Sequence, residues 1–176
     1  MKRRYIGTII LITIAAAMLQ AGTVVAGDYY AGAHAGKILL NFEAKKLMNE
    51  DLYGGGVILG TDLMTFRKST IALEADVLLP VSTGTTVLYG SWDLWSAGLY
   101  GCLRIGLDAV YIKAKAGLVY EKLTIDSPDG YEQGDLGLSP GLGVGFRPSE
   151  RLFIEIETVI IDEKMSGLRG VVGLRL

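Results

Sequence analysis

The chain has 176 residues, half of them hydrophobic, with 17 Lys+Arg against 19 Asp+Glu and one cysteine. That length fits one domain, the acidic excess disfavours nucleic acid, whose phosphates need a basic patch, and a lone cysteine excludes an internal disulfide. Twenty-four glycines and four prolines, with no low-complexity run, point to a Gly-rich β protein rather than to disorder.

Residues 1–26 read as a cleavable signal peptide. Lys2, Arg3 and Arg4 form a basic start, Ile6 to Met18 is apolar, and Val24-Val25-Ala26 ends in small residues suited to cleavage. The apolar run, roughly 13 residues, is shorter than the ~20 a membrane helix needs. No Cys sits just after the cut, so no lipid-anchored N-terminus is expected. Removing this segment takes away three basic residues and no acid, so Lys+Arg falls from 17 to 14 against 19 acids and the mature chain carries a charge of −5. Residues 27–176 form the mature domain.

Eight strands are expected along that domain. Tyr29–Gly36 alternates Ala31, Ala33 and Ala35 with Gly32, His34 and Gly36, and the Gly-rich segment Tyr53–Leu63 follows. In Ile71–Leu79 every odd position is apolar, and the even ones include Glu74 and Asp76. Trp92–Arg104 is again Gly-rich. Val110–Lys122 sets Ile112, Ala114, Ala116, Leu118 and Tyr120 against Tyr111, Lys113, Lys115, Gly117 and Glu121. In Leu136–Phe146 the leucines, Val144 and Phe146 share a face with Pro140, whose missing donor predicts a bulge. Leu152–Ile160 alternates Ile154 and Ile156 with Glu155 and Glu157, and Leu168–Leu176 alternates Val172 and Leu174 with Arg169 and Arg175. A helix would spread these charges around its axis, whereas a strand sorts them onto one face.

The connections alternate between long (37–52, 80–91, 123–134) and tight (near 66–68, 105–108 and 148–150). The turn at 162–166 is short but lies at the long-loop end. No mature segment is a continuous apolar run long enough for a membrane helix, although the mean hydropathy is positive. An antiparallel barrel can turn such apolar surface outward to lipid. Charges of both signs at mid-strand on the other face support that orientation: Glu74, Asp76, Glu155 and Glu157 against Lys113, Lys115, Arg169 and Arg175 are expected to pair inside a narrow lumen. A soluble barrel with those charges in water is the alternative. Aromatics near strand ends fit interfacial girdles: Tyr29, Phe66, Phe146 and Phe153 at the short-turn end, Tyr53, Tyr89, Trp92, Trp95 and Tyr120 at the other. The fold class is therefore all-β, an eight-stranded antiparallel up-and-down transmembrane β-barrel.

Over residues 28–176 the chain resembles the OmpA/OmpX-type superfamily of small outer-membrane barrels. Tyr29-Tyr30-Ala31-Gly32-Ala33, the run Gly141–Arg147, the hairpin Ser149–Glu157 and the end Gly170–Leu176 carry the resemblance. It implies residence in the bacterial outer membrane, contact with lipid and lipopolysaccharide, insertion by the barrel-assembly machinery, and a monomer without cofactor. Members commonly end in an aromatic that this machinery reads; Leu176 keeps the parity but weakens the signal. No peptidoglycan-binding domain is expected to follow.

Candidate chemistry is sparse. His34, the only histidine, has no companion nucleophile motif and reads as a lumen residue. Asp126, Asp129, Glu132 and Asp135 cluster around a turn signal and offer oxygen ligands for a divalent cation, but match no calcium-loop spacing; a solvated loop is the plainer reading. The 37–51 segment mixes Ile38, Leu40, Phe42 and Leu47 with charges, and either extends the strands or presents a partner surface. Gly54-Gly55-Gly56 lacks the helix and Lys of a phosphate loop, and Cys102 reads as a small barrel residue. The expected function is non-enzymatic: envelope structure, surface contact or adhesion through external loops. The alternatives are a soluble periplasmic lipid-binding barrel and a lipid A-modifying enzyme using His34.

Overall fold

Side chains that alternate with a period of two require extended backbone, and the computed structural model follows that pattern throughout. It describes residues 28–41, 52–86, 90–126 and 131–176. The expected signal peptide, Phe42, Leu47, Tyr89 and Asp129 lie outside them. The strands are β1 (Asp28–Leu40), β2 (Leu52–Phe66), β3 (Ser69–Pro80), β4 (Gly84–Thr86), β5 (Gly90–Leu107), β6 (Val110–Ile125), β7 (Tyr131–Phe146), β8 (Leu152–Ile160) and β9 (Met165–Arg175). All neighbours are antiparallel, in the order β3-β2-β1-β9-β8-β7-β6-β5-β4, and an added β3–β5 ladder closes the sheet on itself. Eight strands make the barrel. The three-residue β4 only caps β5, pairing Gly84 with Trp92 above the point where β3 leaves that strand.

The strands outrun the sequence expectation at the long-loop end. β1 continues to Leu40, β6 to Ile125, and β7 starts at Tyr131, so most of the loop expected at 123–134 is ladder, down to the pair Ile125↔Tyr131. Alternation fades there because the outer face leaves lipid: Lys37, Asp93, Lys122 and Glu132 share outward parity with Tyr53, the partner of Lys37, and with Trp95 and Tyr120. Between Val110 and Tyr120 the outward residues are apolar, close to the about 9–11 residues a tilted spanning strand needs. Pro140 makes no bulge. The β6–β7 register runs through Ala116↔Pro140 unbroken, and the ladder to β8 begins only at Gly141, so Pro140 occupies a position without a β8 partner. The bulge lies in β2, between Asp62 and Met64.

The outer surface is apolar: Leu99, Leu118, Leu138, Leu142, Ile156 and Val172 are among its exposed large side chains. This excludes the soluble lipid-binding barrel, which needs its apolar face inward. Two aromatics assigned to the girdles instead face the lumen. Trp92 is buried among Leu78, Leu94 and Met165, and Phe153 packs edge-on against Tyr30 at 5.8 Å. Both have inward parity, so an aromatic near a strand end is a girdle residue only on the lipid-facing register.

A narrow lumen must seat these rings without pushing the wall apart. Each is paired across the ladder with a glycine: Tyr30↔Gly60, Tyr111↔Gly145, Phe153↔Gly173, Tyr100↔Gly117 and Trp92↔Gly84. A Cβ on Gly60, Gly145 or Gly173 would overlap the facing ring, whereas a Cβ on Gly137 meets nothing within 4 Å. Gly145→Val is therefore expected to destabilise the barrel by about 1–3 kcal/mol, as overpacking does, and Gly137→Val to leave it unchanged. Urea unfolding in micelles, followed by loss of the heat-modifiable gel species, measures both.

Candidate functional site in the barrel lumen

Inward parity on adjacent strands stacks the lumen side chains in three layers. At the short-turn end Tyr30, Tyr111 and Phe153 form a floor with Arg104, Arg147 and Arg175. Arg104 lies 4.4 Å from the Tyr30 ring centre and Arg147 4.7 Å from that of Tyr111, both cation–π contacts. Arg104 donates to Asp62 at 3.0 Å, and Arg175 pairs with the same carboxylate. Arg175, expected at mid-strand, thus belongs to the floor, and its side chain is 23% exposed.

The middle layer is ionic. Lys113 Nζ donates to Glu74 Oε2 and Glu155 Oε2, both at 2.8 Å, with Glu157 at 3.2 Å. Lys115 Nζ lies 3.2 Å from Glu74, 3.2 Å from Glu157 and 3.5 Å from Asp76. Arg169 bridges Asp76 and Glu157. Tyr111 donates to Glu155 at 2.6 Å and Tyr30 to Glu74 at 3.2 Å. Glu74, Asp76, Lys113, Lys115, Glu155, Glu157 and Arg169 are all buried. An isolated charge in such a place would cost several kcal/mol, so each must be matched. Here five acids (Asp62, Glu74, Asp76, Glu155, Glu157) face five bases (Arg104, Lys113, Lys115, Arg169, Arg175). Glu74, Asp76 and Glu157 bring carboxylate oxygens within 4.8 Å of one another, as a metal site would. The Lys115 ammonium already stands among all three, which makes it the counter-ion of that cluster.

His34 joins this layer from β1. Its Nε2 lies 3.1 Å from Asp76 Oδ1 and 3.2 Å from the Val77 carbonyl, both acceptors, and 3.4 Å from the Arg169 guanidinium, a donor. Among the described residues its Nδ1 has no hydrogen-bond partner, and its side chain is sealed from solvent. Among the described residues no hydroxyl is hydrogen-bonded to His34, so the nucleophile–base pair of covalent catalysis is not assembled there.

Above the ions the lumen turns apolar. Ile38, Leu40, Leu52, Leu78, Trp92, Leu94, Ile161 and Met165 pack into one cluster, against which Leu123 and Ile125 lean. The recess between this cap and the ionic layer has a volume of about 20 Å³, room for a water or two. Ile38 and Leu40 are the part of the 37–51 segment that extends a strand.

The acidic cluster expected around 126–135 is divided between the two faces. Glu132 pairs with Lys122 on the outside at 3.0 Å, whereas Asp135 stands opposite Glu121 on the lumen face. Gly54 and Gly56 lie on the inward face of β2, and Cys102 is buried opposite Lys115. Sequence reasoning missed Asp62, Arg104, Tyr30 and Tyr100, though it set Tyr111 on the charged face. The signal was parity: Asp62 shares a face with Ile58 and Gly60, and Arg104 with Tyr100 and Cys102, but in these Gly-rich strands the alternation does not label either face.

We expect Glu74→Leu to cost about 3–5 kcal/mol, the usual penalty for leaving buried partners unmatched, because it strands Lys113 and Lys115 together. Lys68→Ala, which breaks only the exposed 3.6 Å pair with Asp108, is expected to change nothing measurable. Thermal unfolding in micelles compares the two.

Known proteins resemble the chain chiefly in architecture. The structure of Ail, the attachment invasion locus protein of Yersinia pestis, superposes with a TM-score of 0.62 at 10% identity, covering 85% of this chain and 96% of that one. Neisserial surface protein A gives 0.53 at 13% identity, over 85% and 97%. The N-terminal β-barrel domain of Pseudomonas aeruginosa OprF gives 0.52 at 18%, over 85% and 99%. No curated protein sequence matches the chain. The family model of the outer membrane protein beta-barrel domain matches residues 8–169. With a closed eight-stranded barrel, an apolar outer belt and that match, the chain belongs to the family of outer-membrane β-barrel proteins.

Proposed function

We propose that the protein is a non-enzymatic barrel of the outer membrane that serves envelope structure and surface contact, with its specificity in the segments joining strands at the long-loop end. The supporting observation is a lumen filled by a floor of rings, a matched ion network and an apolar cap. A lumen filled in this way offers neither a pore nor a substrate cavity, which leaves recognition to the external segments. The charge network Glu74, Asp76, Lys113, Lys115, Glu155, Glu157, Arg169 and Arg175 then has a structural role. The enclosure of His34 weighs against a lipid A-modifying activity.

In this reading residues 1–26 are removed on export, the barrel-assembly machinery inserts residues 27–176, and the protein works as a monomer among lipid and lipopolysaccharide. The name of Ail refers to attachment, and one Ail structure is a complex with the heparin analogue sucrose octasulfate. A sulfated or phosphorylated polysaccharide is accordingly the class of surface partner we favour.

Exchanging residues 42–50 for a Gly/Ser linker is expected to preserve heat-modifiable mobility while reducing attachment of protein-displaying cells to heparin-coated surfaces. Unchanged attachment would count against a contact role for this segment. His34→Ala is expected to leave the lipid A mass spectrum unaltered, and a changed spectrum would restore the enzyme reading.

A further inference from the structure

The floor of the barrel carries one base more than its carboxylates answer. The lumen network matches five acids with five bases. A sixth base, Arg147, follows the end of β7, and its parity continues the inward row of Gly143 and Gly145. Its guanidinium lies over the Tyr111 ring at 4.7 Å, and among the described residues it makes no ion pair. Asp62, the carboxylate of the floor, is taken at both oxygens: Oδ1 accepts from Arg104 at 3.0 Å and Oδ2 from Arg175. Asp28, 3.9 Å from Arg175, is exposed.

Three guanidinium groups share one recess. Arg104, Arg147 and Arg175, with the rings of Tyr30, Tyr111 and Phe153, line a cavity of about 10 Å³ at the short-turn end, room for one water-sized group. Arg147 and Arg175 are half-buried, so the recess meets water beside them, whereas Arg104 is only 5% exposed. The Arg104 Nε is buried without a hydrogen-bond partner, since Glu155 Oε1 stands at 3.7 Å, too far to accept. A buried donor left without an acceptor costs free energy that a ligand oxygen would restore.

The wider charge distribution favours the same kind of ligand. The tight turns beside the recess add Arg67, Lys68 and Arg151 against Asp108 and Glu150. The described residues of the long-loop end are acidic in excess, from Asp93 and Glu121 to Asp162 and Glu163, with Lys37, Lys122 and Lys164 the bases among them. Charge is therefore graded along the barrel axis, and such a field concentrates anions at the short-turn, periplasmic end.

We propose that Arg147, Arg104 and Arg175 bind a phosphate group at the periplasmic floor of the barrel, carried by a phospholipid headgroup or free in solution. A planar guanidinium presents paired donors that match such an oxyanion. One phosphate oxygen fills the recess, the rest of the group stays in the water at the rim, and its charge answers the sixth base. The site is independent of the contact surface at the long-loop end.

The test uses full-length protein extracted from outer membranes in a sugar detergent, which contains no phosphorus. It is titrated at constant ionic strength with sodium phosphate or with dihexanoylphosphatidylglycerol, by calorimetry and thermal unfolding. Wild type is expected to bind about one equivalent saturably and to melt at higher temperature when it does, as any native-state ligand requires. Binding of sodium phosphate assigns the site to the free anion; binding of the lipid with phosphate inert assigns it to a headgroup. Arg147→Gln is expected to weaken the affinity by at least roughly tenfold, since a charge-assisted contact is lost. It should keep heat-modifiable mobility, because no carboxylate depends on Arg147. Arg147→Lys, which keeps the charge but loses the fork, is expected to weaken binding as well and replaces Arg147→Gln if that variant fails to fold. Arg151→Gln, outside the recess, should bind as wild type. Three results would overturn the proposal: no saturable binding of either probe by wild type, unchanged affinity in the Arg147 variant, or an equal loss in Arg151→Gln, the mark of a diffuse surface field.

Discussion

Lipid offers no hydrogen bonds, and every other feature of this protein follows from that. A backbone that crosses the bilayer as strands must pair all of its N–H and C=O groups with other strands, so the sheet has to close. Closure here is made by the β3–β5 and β1–β9 ladders, with the β7–β8 seam laddered only from Gly141 to Phe146. A ring of eight strands is only wide enough for side chains. The lumen therefore becomes a second core, subject to packing rules as strict as those of a soluble protein, but reached only by alternate residues of each strand.

Two solutions fill that core, and they occupy different depths. Beside the short-turn end, aromatic rings lie over glycines on the facing strand, so that width added at one position is removed at its neighbour. Pairing Tyr30 with Gly60 and Tyr111 with Gly145 is a wall-to-wall accommodation of this kind. At mid-depth the space is filled by carboxylates, ammonium groups and guanidinium groups, each within reach of more than one partner. Lys115 among Glu74, Asp76 and Glu157 shows why such a network is stiff: removing any one member leaves several others unmatched. Towards the mouth the filling becomes apolar, with Trp92 over Gly84 closing the top. Glu121 is the exception to this order, because it stands opposite Asp135 across the β6–β7 ladder.

Much of this was legible before any coordinates. Period-2 alternation in Ile71–Leu79, Val110–Lys122 and Leu152–Ile160 placed the strands and assigned each side chain a parity, because apolar and charged residues there label the two faces. It failed where that label is absent. In Tyr53–Leu63 and Trp92–Arg104 glycines stand on both faces, and the inward positions of Asp62, Trp92 and Arg104 went unread. The ends of β1, β6 and β7 were drawn short for a related reason: once the outer face leaves lipid it need not be apolar, although the backbone ladder continues. Pro140 misled in the opposite direction. Its missing donor matters only where a neighbour needs one, and the β7–β8 ladder begins only at Gly141.

Sequence by itself determined that the chain is all-β and sorted the side chains of its clearly alternating strands onto two faces, since parity depends only on the order of residues. It also determined which charges share a face. Which acid meets which base was decided only by the tertiary structure, because partners such as Glu74 and Lys113, or Asp76 and Arg169, lie on strands that are not neighbours in the sheet. Their meeting depends on the stagger of strands around the closed ring and on the width of the lumen. The same stagger sets Arg175 beside Asp62 in the floor, divides the 126–135 acids between two faces, and brings Asp135 opposite Glu121 at the mouth. Barrel closure is a property of the whole sheet, and no single strand encodes it.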